Sequence, residues 1–355
     1  MSAQQQGPIH EGVRHVEAGE DHAGVRLDNF LSRLLEGVPR SRIYRIVRRG
    51  EVRVNGKRAS PEQRLVAGDR VRVPPVHREA PGGAADAPAK VPRTLVEAVQ
   101  AAILSEDERL IVLNKPAGIA VHGGSGIGFG IIEALRAARP EETLELVHRL
   151  DRDTSGCLLV ARKPQVLREL HELLREGRVD KGYLALLKGQ WNLGRKRIDV
   201  PLATHTRVGG ERTVRAQAGG KEAVSTFSPV QFFGKLASLV EVQLDTGRTH
   251  QIRVHAAYAG HPVAGDEKYG DVDFNARLRE RGLGRMFLHS HRISFDWPRG
   301  GDFSASAPLP ADLAAVLDAL AAGPVKGKGA ASPGAGPGTS RRGGSRTGAT
   351  RRKAR

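Results

Sequence analysis

Residues 146–163 read LVHRLDRDTSGCLLVARK. An apolar, strand-like stretch enters this segment and another leaves it, and between them crowd His148, Arg149, Asp151, Arg152, Asp153, Thr154, Ser155 and Gly156. Polar residues this dense between two buried strands form a turn whose backbone and side chains satisfy one another, and turns of that kind line sites. On composition alone two readings stay open. The segment is either a hydrogen-bonded turn of Asp, Thr, Ser and Gly with no chemistry, or the floor of a site.

Outward from this turn, the chain between about residue 96 and residue 320 carries further strand-like runs, LIVLN, CLLVAR, YLALLKG and SLVEVQL. Helical stretches lie between them, one from Pro164 to Gly177 with Leu167, Leu170 and Leu174 on one face. Strands outnumber helices and do not alternate with them regularly. That pattern predicts an α+β fold around a largely antiparallel mixed sheet rather than a doubly wound one.

Residues 25–76 read as a separate small α/β module. Leu27, Phe30, Leu31 and Leu34 have the spacing of one helical face. Ser41 fits the N-cap of a second helix and Gly50 its stop. EVRVNGKRA then alternates into an Asn55-Gly56 turn, the pairing a type I′ hairpin demands because both central residues need positive φ. The second helix carries Arg40, Arg42, Arg45, Arg48 and Arg49 with no acid among them. Such a face gains Coulomb energy against phosphate. These arginines, with Lys57 on the hairpin, are the candidate nucleic-acid-binding set.

The net charge of +17 points to a polyanionic partner. Nine Lys and Arg with no acid lie in 324–355, among Gly, Ser, Ala and Pro, so more than half of the excess sits on a tail that composition predicts to be disordered. The expected organisation is a flexible N-terminus over 1–24, the small module over 25–76, a Pro/Ala/Gly-rich linker over 77–95, the larger α+β domain over 96–322 and a basic tail over 323–355. No run approaches the roughly 18 apolar residues of a membrane helix. The first residues, MSAQQQGPIHEG, lack the marks of a secretory signal. Cys157 is the single cysteine, which leaves no intrachain disulfide and no CxxC metal knuckle. A cytoplasmic monomer is the expectation.

Two sets of motifs carry a family resemblance. RLDNFL, VPRSRIYRIVRRGEVRVNGKR and GDRVRV resemble the S4 RNA-binding domain. HRLDRDTSG is similar to the signature of the pseudouridine synthases that modify large-subunit ribosomal RNA. NKPAG at 114–118, KGYLALLKG at 181–189, TGRTHQIRVH at 246–255 and AGHPVAGDEKYGD after it resemble that family's other motifs, in the same order. VHGGSG at 121–126 is closer to the wording of its C-type subgroup than of its D-type.

The resemblance implies an isomerase that detaches uracil from N1 of the ribose linkage, turns it and rejoins it through C5, without a cofactor or metal. It places the catalytic carboxylate on Asp151, a base-stacking ring on Tyr183 and a counter-cation on Arg253. It gives Arg149 the place left by a flipped nucleotide. The implied partner is 23S rRNA or a precursor of the large subunit. Asp153 is the local rival for the carboxylate. Three alternatives frame this reading: a non-catalytic RNA-binding or ribosome-assembly protein, a glycosidase using Asp153 or Asp245 as a second acid, and a dinucleotide site at GGSGIGFG. His250 with His255, or His289 with His291, raise a metal site, but without cysteines and a carboxylate at ligand spacing they read as structural.

Overall fold

The computed structural model describes residues 12–35, 38, 40–76, 91–123, 128–206, 212–298 and 300–323. The chain divides into two compact units, Met1–Lys90 and Val91–Arg355. The expected basic tail from 324 onward, most of the expected linker (77–90) and the first eleven residues lie outside the described part.

The first unit contains strand β1 (Arg14–Glu17), helices α1 (Leu27–Leu34) and α2 (Arg40–Arg48), and strands β2 (Arg53–Val54), β3 (Lys57–Arg58) and β4 (Arg70–Val73). The strands form an antiparallel sheet in the order β1-β4-β2-β3. Helix α1 buries Leu27, Phe30 and Leu31, and α2 turns Ile43, Ile46 and Val47 onto the same core with Val52, Val71 and Val73. Asn55 and Gly56 both take positive φ, 50° and 77°, as the hairpin reading required. Asn55 adds a side-chain bond to Asp69 at 2.7 Å that ties the turn to the start of β4. One boundary is corrected. Residues 14–17, expected to belong to a flexible terminus, are the edge strand of this sheet and pair with 70–73. RHVE carries no apolar run of its own; it becomes a strand because β4 offers it a ladder.

The second unit opens with α3 (Arg93–Ala101), so the last residues of the expected linker are helical. There follow β5 (Ile103–Glu106), β6 (Leu110–Lys115), α4 (Ile131–Ala138), β7 (Glu145–Leu146), β8 (Ser155–Ala161), α5 (Pro164–Arg175), β9 (Asp180–Lys188), β10 (Lys196–Asp199), β11 (Leu202–Thr206), β12 (Arg212–Ala216), β13 (Val224–Phe233), β14 (Ala237–Leu244), α6 (Gln251–Tyr258), α7 (Val272–Arg279), β15 (Leu288–Asp296), β16 (Asp302–Ser306) and α8 (Ala311–Ala321). One ten-stranded sheet runs β10-β13-β14-β9-β15-β8-β6-β5, with β16 on β15 and β7 on β8. Its strands are antiparallel except for the β15–β8 pair. The fold is therefore α+β with a largely antiparallel mixed sheet, as predicted. Strands β11 and β12 form a separate hairpin. Among the described residues no helix is long and apolar enough to cross a membrane.

Helices cover the sheet because its strands are apolar on both sides; β8 is buried along its whole length. Helix α5 confirms the periodicity read from sequence but is rotated slightly. Val166, Leu170 and Leu173 form its buried centre, with Leu167 and Leu174 flanking it. The approach of β15 to β8 explains the glycine of the TSG turn. Gly156 has φ 113°, and a Cβ there would stand 2.1 Å from the carbonyl oxygen of Ser290. Only glycine lets these two strands pair.

A histidine bolts the same crossing. His289, with no exposed surface, meets the Ser155 hydroxyl at 2.9 Å and the Ala307 carbonyl at 3.1 Å. Burial pushes its imidazole down to about 4, so the folded protein keeps it neutral where the unfolded chain, near 6.5, takes a proton. The contribution is complete above about pH 6.5 and is lost as pH falls toward 4. Urea titrations of the wild type should show stability declining through that window, with this residue contributing on the order of 3 kcal/mol. His289→Gln, which cannot titrate, should start less stable at pH 7 and decline less steeply. An unchanged slope would remove His289 from the account.

Candidate active site

Asp151 lies in the turn between β7 and β8. The strand before that turn is shorter than the apolar sequence implied, only Glu145–Leu146, and the turn is held instead by its own polar groups. The Thr154 N–H donates to the Asp151 carbonyl at 3.2 Å. His148 accepts the Leu159 N–H on Nε2 at 3.2 Å, and burial drives its imidazole down to about 4, so it is a neutral strut rather than a base. From the other side Lys115, fully buried, donates to the carbonyls of Pro116, Ile119 and Arg152 at 2.7, 2.8 and 3.0 Å. Burial brings its amine down to about 7, yet three carbonyl acceptors call for all three protons of the ammonium form. That one cation pins the NKPAG loop to the aspartate turn.

Tyr183 reaches the same pocket from β9, where it pairs with Val242 on one side and Ser290 on the other. It is 7% exposed, and burial raises its phenol to about 12, so it contributes a ring and a neutral hydroxyl, not a base. Arg253 comes from the first turn of α6. The residue is helical and buried. The reason is local. Gln251 is a buried bolt: its Oε1 accepts the Thr246 hydroxyl and the Arg248 N–H, and its Nε2 donates to the Val224 carbonyl. This folds the TGRT loop under β13 and starts the helix at the pocket wall.

The Arg253 guanidinium donates to Asp266 through Nε and Nη2 at 2.7 and 2.8 Å, and to Asp151 Oδ2 through Nη1 at 3.3 Å. Burial opposes its charge, and the Asp266 carboxylate, with Asp151, more than offsets that opposition. Asp266 is itself fully enclosed and also accepts the backbone N–H groups of Lys268 and Tyr269. The Arg253 plane stands 5.0 Å from the Tyr269 ring centroid. The outcome is a fixed cation with one arm on a structural carboxylate and one arm on Asp151.

The structure thus brings Asp151, Tyr183 and Arg253 to one pocket, with Arg149 exposed at its edge. Asp151 is the one acidic side chain among the described residues lining that pocket. Asp153, the rival, is 47% exposed and paired with Arg152 at 3.2 Å. Asp245 is exposed and 4.0 Å from Arg197, and neither lines this pocket. Of the four histidines that raised a metal, His255 is bound to Ser225 and the Val200 carbonyl, His289 is the strand bolt, and His291 faces Glu241. Among the described residues no group of three ligand-type side chains is placed to hold a metal. Most of the GGSG segment lies outside the described residues.

Asp266 and Tyr269 were missed as individuals, and His250 was weighed only as a metal ligand and read as structural. All lie inside segments quoted for their family resemblance, but nothing in their spacing announces a contact with Arg253 or Asp151. The RNA-binding candidates belong to the first unit, where Arg45, Arg48, Arg49 and Lys57 are exposed and Arg42 is half-buried; the side chain of Arg40 lies outside the described part.

Comparisons with known proteins give the family. Residues 109–258 match the RNA pseudouridylate synthase family and residues 25–71 the S4 domain. Ribosomal large subunit pseudouridine synthase C of Haemophilus influenzae is 50% identical over 322 residues, covering 90% of this chain and 99% of that protein. The protein of the same name from Pasteurella multocida is 50% identical over 314 residues, 88% of this chain and 95% of its own length. Among solved structures, human RNA pseudouridylate synthase domain containing 4 superposes with a TM-score of 0.54 at 26% identity, over 64% of this chain and 96% of that one. Half the residues are thus shared across nine-tenths of the chain, with both domains in place, and the chain belongs to the RNA pseudouridine synthase family.

Proposed function

We propose that this enzyme isomerises uridines of large-subunit (23S) ribosomal RNA to pseudouridine, with Asp151 as its catalytic carboxylate. The observation that carries the reading is the Asp151–Arg253 pair at the base of a pocket walled by Tyr183. The relatives named for large-subunit rRNA support the substrate class.

The chemistry balances without a redox or group-transfer partner. The N1–C1′ bond breaks, a C5–C1′ bond forms, the C5 proton leaves and N1 gains one. This stoichiometry calls for a nucleophile and proton handling, both of which side chains supply, and for no cofactor. Asp151 serves as the nucleophile at C1′ or at C6. Closing the pocket over uridine strips water from the carboxylate, and the Arg253 cation 3.3 Å away compensates its charge there. The Tyr183 ring offers the detached uracil a face to stack on while it turns. A uridine inside structured RNA must first leave its stack, at roughly a few kcal/mol, and the exposed Arg149 at the mouth fills the place it leaves.

The arginine face of α2 grips phosphate on the structured RNA around the target, and the enzyme acts as a cytoplasmic monomer. Pseudouridine mapping in rRNA from cells with and without the gene tests the whole reading: a defined few 23S positions should lose the modification. In purified form, an enzyme lacking residues 1–80 should keep its fold and lose its preference for target over decoy RNA. Its binding should also depend less steeply on salt, the slope falling by about 0.9 log units for each duplex phosphate that the missing unit would have neutralised. Unchanged 23S maps would sink the substrate assignment, and unchanged discrimination would remove the S4 unit from target reading.

A further inference from the structure

His250 precedes α6 in the left-handed region, at φ 55° and ψ 20°, a conformation strained for a residue that bears a side chain. The strain aims its ring into the pocket. Nδ1 lies 2.8 Å from the Tyr269 hydroxyl and Nε2 lies 3.8 Å from Asp151 Oδ2. The Tyr269 oxygen already accepts the Val214 N–H at 2.9 Å, so its own proton goes to Nδ1. Nε2 therefore carries the hydrogen. The opposite tautomer would set a lone pair against the carboxylate. Burial, helped by Arg253 and Lys268 and opposed by Asp151 and Asp266, holds the imidazole below its ordinary value and so neutral near pH 7.

A neutral N–H donor and a carboxylate oxygen 3.8 Å apart are too distant to bond each other. One oxygen set between them, about 2.9 Å from the nitrogen and about 2.7 Å from the carboxylate, closes the gap. That oxygen must accept from Nε2 and donate to Oδ2. A uracil carbonyl or a phosphate oxygen can do the first but has no proton for the second, and would be repelled by the carboxylate. Water or a hydroxyl does both, and of the groups that an RNA substrate itself brings only a hydroxyl qualifies. In a nucleotide within an RNA chain the 3′ and 5′ oxygens are esterified, which leaves the ribose 2′-hydroxyl.

We propose that His250 and Asp151 together seat the 2′-hydroxyl of the target nucleotide, with Tyr269 as the positioning residue that fixes the His250 tautomer. The inference rests on the reading of Asp151 as the carboxylate at the target uridine. Oδ2 then holds Arg253 and the 2′-hydroxyl while Oδ1 stays free for chemistry, and the site gains a means of rejecting DNA.

The test is a cycle between protein and substrate. kcat/KM is measured on the full-length enzyme with a target RNA carrying either uridine or 2′-deoxyuridine at the modified position. In the wild type the deoxy substitution should lower kcat/KM by about 10- to 100-fold, the range for a hydrogen bond to a charged group. His250→Ala should cost about as much on the ribose substrate and almost nothing further on the deoxy one. His250→Gln, whose amide can place a donor near Nε2, should recover part of the loss. Tyr269→Phe should show the same selective loss in weaker form, whereas a merely structural tyrosine would lower both substrates equally. If turnover of the deoxy RNA is too slow to follow, the cycle is read from Kd. Equal losses on both substrates for His250→Ala and His250→Gln overturn the proposal. Asp151→Asn separates the two levels: activity in that variant defeats the reading of the site, while an inactive Asp151→Asn with additive His250 losses defeats only the hydroxyl seat.

Discussion

Asp151→Asn should abolish isomerisation while the protein still binds RNA. The amide keeps the size of the carboxylate and can remain near Arg253, so the turn that carries it should fold normally. What it lacks is the nucleophilic oxygen, and with it the covalent route. RNA affinity rests on phosphate contacts elsewhere, so Kd should change little. Asp153→Asn is the matched control, because Asp153 sits two residues away, half exposed and paired with the exposed Arg152. It should keep most of its activity. The measurement is single-turnover pseudouridine formation on an rRNA fragment beside a binding titration. Near wild-type turnover in Asp151→Asn would end the assignment, and the reverse ordering of the two variants would transfer it to Asp153.

Arg253→Ala should be nearly as damaging, for a different reason. The active form of Asp151 is the carboxylate. Without the guanidinium 3.3 Å away it loses the charge-assisted hydrogen bond that holds it in the pocket. At neutral pH kcat/KM should fall by about 100-fold or more, the scale of losing one charged stabiliser in a closed site. The variant also strands Asp266, whose fully enclosed carboxylate loses both guanidinium bonds, and stability should drop by about 3–5 kcal/mol. Arg253→Lys restores the charge without the fork, so kcat/KM should return part of the way while Asp266 stays only half satisfied. Urea titration of each variant shows whether the protein assayed is folded. A folded Arg253→Ala enzyme with near wild-type kcat/KM would separate the arginine from the work of Asp151.

Much of this was written in local sequence. The spacing of Leu27, Phe30 and Leu31 fixed one helix of the first unit. The Asn55-Gly56 pair fixed its hairpin, because few other residues tolerate two successive positive φ values. Helix α5 announced itself by its apolar period, and the α+β class followed from strand runs that did not alternate with helices. Asp151, Tyr183 and Arg253 were named from motifs, whose wording preserves the products of tertiary structure without displaying the geometry behind them. Where the signal was neither periodic nor verbal, the sequence was silent. The strand at 14–17 exists because 70–73 offers it backbone partners, and its own residues do not demand it. His289 reads as a structural histidine, but its partner, the Ser155 hydroxyl 134 residues earlier, is not announced by any local pattern. Asp266, Tyr269 and His250 become parts of the site only when α6 and the loop after it close over the β7–β8 turn. A helical period or a turn is decided by residues within a few positions of each other, so the chain states it directly. A buried guanidinium shared between Asp151 and Asp266, or an imidazole aimed by a tyrosine, is decided by distances of a few ångströms between segments far apart in sequence, and only folding sets those distances.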